Sequence, residues 1–91
     1  MARIAKSVRV TGFVQGVFFR AWTKEQAEAL GVSGWVRNCH DGSVEALVAG
    51  EEAAVEAMIE RMRRGPPGAN VEQLTEEPVE VSAGEGFAIR H

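Results

Sequence analysis

Apolar and polar residues alternate at the start of the chain, where Val8 and Val10 are set against Arg9 and Thr11 and Ile4 extends the same phase upstream. A period of two belongs to a strand with one buried face, so a first strand is expected, ending at Gly12. The period then changes. Phe19, Trp22, Gln26 and Leu30 recur at helical spacing, and Gly31 stands where a helix end favours a left-handed residue, which predicts a helix over Phe19–Leu30. Residues 34–38 and 44–48 read as two strands joined by residues 39–43, and the Asp41-Gly42 pair in that connection is a hairpin signal. These two strands are expected to be antiparallel neighbours.

The most regular helical pattern follows, with Val55, Met58, Ile59 and Met62 at i, i+3, i+4 and i+7. Glu51 and Glu52 fall in its first turn, Gly65 ends it, and Pro66 and Pro67 prevent its continuation. Residues 71–78 form a strand whose alternation is imperfect, as at a bulge or a sheet edge. A short polar piece from Ser82 to Gly86 leads to a brief last strand, Phe87–Arg90, with Phe87 and Ile89 on one face. Strand, helix, strand, strand, helix, strand and a short terminal strand make an α+β order. With right-handed crossovers this gives the ferredoxin-like split βαβ (βαββαβ) sandwich, an antiparallel sheet with two helices on one face.

Composition alters this picture in a few places. At 91 residues the chain is expected to be one domain, spanning 1–91. The net charge is −3, and the only basic cluster, Arg61, Arg63 and Arg64, lies in the last turn of the second helix, where cations suit the helix dipole. No nucleic-acid partner is therefore expected. Cys39 is the only cysteine, which excludes an intramolecular disulfide and a cysteine-built zinc site; His40 and His91 do not have metal-ligand spacing and are expected in solvent. No run approaches the roughly eighteen apolar residues of a membrane span, and the first residues lack the apolar core of a signal peptide. The expectation is a cytoplasmic monomer without a membrane partner.

The candidate chemistry sits at the junction of the first strand and first helix, Gly12-Phe13-Val14-Gln15-Gly16-Val17-Phe18-Phe19-Arg20. A helix N-terminus carries unpaired N–H groups and a partial positive charge, so an arginine there is misplaced unless an anion compensates it. The bland alternative is a solvated arginine after a tight turn. The loop lacks a Gly-Lys-Ser/Thr ending and gives no support for nucleotide binding. Asn38 sits at a strand end although asparagine is depleted in strands, and the neighbouring Asp41-Gly42 already supplies the turn chemistry. Cys39 and His40 are adjacent, so on a strand they point apart and form no nucleophile and base pair.

Val10-x-Gly12-x-Val14-Gln15-Gly16-Val17-x-Phe19-Arg20, with Gly34-Trp35-Val36-x-Asn38-x-x-Asp41-Gly42-x-Val44-Glu45, resembles the acylphosphatase family. Gly65-Pro66-Pro67-x-Ala69-x-Val71 and Phe87-x-Ile89 extend the resemblance over nearly the whole chain. It implies hydrolysis of the carboxyl–phosphate anhydride of a small acyl phosphate, without metal or organic cofactor. It also implies that Arg20 and the loop amides of Gln15, Gly16, Val17, Phe18, Phe19 and Arg20 bind the phosphoryl group, and that Asn38 orients the attacking water. Inorganic phosphate and sulfate would compete. Two other readings of the fold are an RNA-recognition domain, for which the basic and aromatic run is missing, and a small-ligand sensor, which stays open. The acylphosphatase-like domain of carbamoyl-transfer maturation proteins opens far longer chains, so the length favours the small enzyme.

Overall fold

The computed structural model describes residues 2–80 and 84–91. Its elements are β1 (Arg3–Phe13), α1 (Phe19–Leu30), β2 (Ser33–Asn38), β3 (Val44–Glu51), α2 (Glu52–Arg64), β4 (Asn70–Pro78) and β5 (Phe87–Arg90). The strands form one sheet in the order β4-β1-β3-β2-β5. β1 and β3 are its antiparallel centre, flanked by β4 and β2. This is the ferredoxin-like α+β plan, with one departure from the expected antiparallel sheet. β5 lies parallel to β2, so the sheet is mixed. The chain reverses between β4 and β5, which occupy opposite edges, and a strand running against β4 necessarily runs with β2.

The core lies between the sheet and the two helices. β1 and β3 contribute Val8, Val10, Val44, Ala46 and Val48, all fully buried, and α2 lays Val55, Met58, Ile59 and Met62 on them as its spacing predicts. Glu51 is the N-cap of α2 rather than part of its first turn, and Gly65 closes the helix by donating to the Arg61 carbonyl.

α1 differs in rotation from the expected stripe. Its deepest row is Phe19, Thr23 and Ala27, with Trp22, Gln26 and Leu30 half-buried along the edge of that row. Residues three and four apart both share a helix side, and the smaller ones face inward because they let the helix approach its neighbours. Trp22 instead meets Phe19 edge-on, with centroids 5.7 Å apart, and Gln26 accepts a 2.7 Å bond from Arg61 of α2. The Thr23 hydroxyl is buried and unpaired among the described residues, a loss of about 1–3 kcal/mol relative to a satisfied group.

β1 does not stop at Gly12 but continues to Phe13. The register against β4 shifts between Thr11 and Gly12, which takes φ 119, and a Cβ on Gly12 would collide with the Asn70 carbonyl oxygen. The glycine is thus the pivot of a bulge that aims the following loop. β4 is both bulged against β1 and an edge strand. The polar piece expected from Ser82 to Gly86 lies partly outside the described residues.

Candidate active site

The bulge delivers the chain into a loop over residues 14–18 that ends at the N-terminus of α1. Phe18 is the N-cap, in a left-handed conformation (φ 59, ψ 27) and without a side-chain capping bond. Its carbonyl accepts the first helical bond, from Trp22 N at 3.0 Å. Among the described residues, the N–H groups of Gln15, Gly16, Val17, Phe18, Phe19 and Arg20 donate to no protein acceptor. The first turn of α1 contains no acidic residue. Unpaired N–H groups, a helix N-terminus and a guanidinium therefore fall within one short stretch, a combination whose chemistry suits an anion.

Arg20 does not hang free in solvent. Its Nη1 donates to the Arg90 carbonyl at 3.1 Å and lies 3.2 Å from Nδ1 of His91, both from the end of β5. With Nη1 held there, Nη2 and Nε remain as a planar pair of donors. The side chain of Arg90 itself turns to the opposite face of the sheet, 4.7 Å over the Trp35 ring.

The loop, the start of α1 and the ends of β2 and β5 line a half-open cavity of about 360 Å³. Arg20, Asn38, Gln15 and His91 supply its polar lining, and Val14, Phe18, Phe19, Ala21 and Ile89 its apolar lining. Asn38 is the last residue of β2, paired with Val44, and its side-chain amide makes no hydrogen bond within the described residues. Arg20 and Asn38, 18 positions apart in sequence, thus meet at one cavity. Val17 does not line it. Its side chain packs against the core, leaving only its backbone N–H to the loop.

Gln15 has a role that the sequence did not disclose. Its Nε2 donates to the carbonyls of Cys39 and Ser43, each at 2.8 Å, and so fastens the loop to the β2–β3 turn one residue beyond Asn38. Two carbonyl acceptors require the amide nitrogen on that side. Within the turn, Asp41 accepts from the Ser43 hydroxyl (2.6 Å) and N–H (3.0 Å), while Arg9 donates to Asp41 (3.2 Å) and to the Ser43 hydroxyl (3.0 Å). Cys39 and His40 lie in the turn rather than on a strand, and neither lines the cavity. His91 does line it. Alternation from Phe87 and Ile89 carries position 91 to the same side of the sheet, which was the available signal.

Those bonds hold the Asp41 carboxyl below its ordinary value, the Ser43 hydroxyl contributing most, then the Ser43 N–H, with the charge of Arg9 adding to them. A pKa depressed by folding contributes stability above the unfolded value and loses it as pH falls through the folded one. The turn is therefore expected to weaken as pH drops below about 4, near the unfolded carboxyl value. Asp41→Asn should flatten this acid limb in thermal melts followed by circular dichroism from pH 6 to 2. Parallel limbs in the two proteins would refute the assignment.

An acylphosphatase profile matches residues 6–89. The chain belongs to the acylphosphatase family. It is 53% identical over 88 residues to an acylphosphatase of Sinorhizobium medicae, covering 96% of this chain and 94% of the relative. The fold superposes on an acylphosphatase from Coxiella burnetii with a TM-score of 0.93, at 36% identity, covering 97% of this chain and 93% of the other. For an acylphosphatase from Bacillus subtilis the TM-score is 0.92, at 31% identity, with 97% and 99% covered. The chain is accordingly an enzyme of the acylphosphatase type. Among the described residues no helix is long and apolar enough to cross a membrane, and no three His, Cys, Asp or Glu residues are grouped to hold a metal ion.

Proposed function

We propose that this enzyme hydrolyses the carboxyl–phosphate anhydride by in-line attack of a water oriented by Asn38 on a phosphoryl group held by Arg20 and the N–H groups of the loop. The observation that carries this reading is that Arg20, Asn38 and the loop residues Gln15, Gly16, Phe18 and Phe19, whose N–H groups are unpaired among the described residues, line one cavity. The free edge of the Arg20 guanidinium matches two phosphoryl oxygens, and the loop N–H groups surround the remaining charge. Asn38 accepts a hydrogen bond from the water through its amide oxygen and donates through its nitrogen, positioning the nucleophile without titrating.

The water oxygen forms the new bond to phosphorus while the bond from phosphorus to the acyl oxygen breaks. The electron pair leaves with the carboxylate, and the water proton passes to phosphate or solvent. A carboxylate is a good leaving group and requires no strong acid, in keeping with a lining that has no Asp or Glu side chain among the described residues. With no Asp or Glu side chain in that lining among the described residues, charge neutralisation is assigned to the N–H donors, without metal or organic cofactor. A monomer as the working unit and the cytoplasm as its compartment rest on the sequence alone.

Benzoyl phosphate hydrolysis, followed by loss of ultraviolet absorbance, tests this reading. Turnover should be unchanged by EDTA, and inorganic phosphate or sulfate should raise the apparent KM without altering kcat. Activity lost in EDTA and restored by magnesium or zinc would overturn the metal-free mechanism. Phosphate inhibition that left KM unchanged would overturn the assignment of the loop.

A further inference from the structure

Phe18 is anomalous on two independent counts. It is the one non-glycine residue with positive φ among the described residues, and it is 85% exposed, more than any other large hydrophobic side chain there. The backbone conformation has a reason: a left-handed residue beside a right-handed one is one way for successive N–H groups to form a concave nest. That explains the φ and not the side chain. Gly16, two residues earlier, takes φ 75 with a residue free of the penalty, so the loop uses glycine where the backbone alone matters. A bulky ring in the left-handed region is strained, and here neither burial nor a capping bond offsets it. Phe19, by contrast, is 2% exposed and anchors the core.

Phe18 does have a place with respect to the cavity. It lines it together with the apolar Val14, Ala21 and Ile89 as well as the polar Arg20 and Asn38. A small acyl phosphate joins a charged end to a carbon end, and with the charged end at Arg20 the carbon end meets apolar wall. We infer that Phe18 is a specificity-determining residue whose ring covers the acyl group, favouring substrates with an aromatic or extended apolar acyl group over acetyl phosphate. This inference rests on the reading of the cavity as the acyl phosphate site. An exposed ring that becomes covered only when substrate arrives gains contact area in the complex and nothing in the free protein.

The test compares kcat/KM for benzoyl phosphate and acetyl phosphate in the wild type, Phe18→Ala, Phe18→Gly and Phe18→Leu. The ratio of benzoyl to acetyl phosphate should fall about tenfold in the alanine and glycine variants, mainly through KM for benzoyl phosphate, the scale of losing an apolar pocket contact. Leucine should restore part of it. Disturbance of the loop alone would lower both substrates in proportion, and a ratio that stays constant across the variants overturns the inference. The glycine variant, which keeps the left-handed backbone without strain, should also melt no lower than the wild type, and a large drop would mean that the ring serves the fold. A wild type that hydrolyses neither substrate while folded would overturn the underlying reading of the cavity, an outcome distinct from a constant ratio.

Discussion

Replacement of Asn38 by alanine is expected to lower kcat by roughly 10² or more, the scale of losing one well-placed polar catalytic contact, while the inhibition constant for phosphate stays near its native value. The asymmetry follows from the geometry. Asn38 reaches the cavity from β2, whereas the proposed anion donors, the loop N–H groups and the Arg20 guanidinium, come from the loop and α1. Removing the amide leaves the anion donors in place and deprives the water of its orienting partner. Stability should be little changed, because Asn38 pairs with Val44 through its backbone and its side chain makes no hydrogen bond within the described residues. The turn bonds from Gln15, Arg9 and Ser43 to residues 39–43 also survive the substitution. Steady-state kinetics with phosphate inhibition, and circular dichroism as a control on folding, decide the matter. An Asn38→Ala protein with native turnover would remove the water-positioning role.

Arg20→Lys should be at least as damaging and in a different manner. It preserves the charge but replaces a rigid fork of donors by a single ammonium. In the structure Nη1 of the guanidinium donates to the Arg90 carbonyl beside His91, and Nη2 and Nε have no protein acceptor among the described residues. One ammonium cannot hold the end of β5 and also meet two phosphoryl oxygens in a plane. The expected result is a fall in kcat/KM of more than about 10², with the phosphate inhibition constant rising together with the loss of turnover, since the fork serves ground state and transition state alike. A lysine variant with native phosphate inhibition would mean that Arg20 does not hold the phosphoryl group. Comparing the two variants separates binding from water positioning, which activity alone does not.

The local elements of this protein are determined by its sequence because their causes are local. The spacing of Val55, Met58, Ile59 and Met62, the glycine after each helix and the Asp41-Gly42 turn act within a few residues, and the structure has the corresponding α2, helix ends and β2–β3 hairpin. The motifs around Arg20 and Asn38 were equally legible as residue types at fixed spacing. What the tertiary structure decided involves partners remote in the chain. The parallel docking of β5 on β2 brings the Arg90 carbonyl and His91 to Arg20, 70 and 71 positions away in sequence. Alternation places side chains on a face but cannot say which strand an edge strand joins. The rotation of α1 that buries Thr23 and Ala27 was set by how closely α1 packs against its neighbours, while helical spacing alone allowed either adjacent row. Gln15 could be recognised as a loop residue from the sequence, but its bonds to the Cys39 and Ser43 carbonyls exist only once loop and hairpin are adjacent. A side-chain amide carries no information about which distant carbonyl it will meet, and in this protein that meeting ties the loop to the turn that follows Asn38.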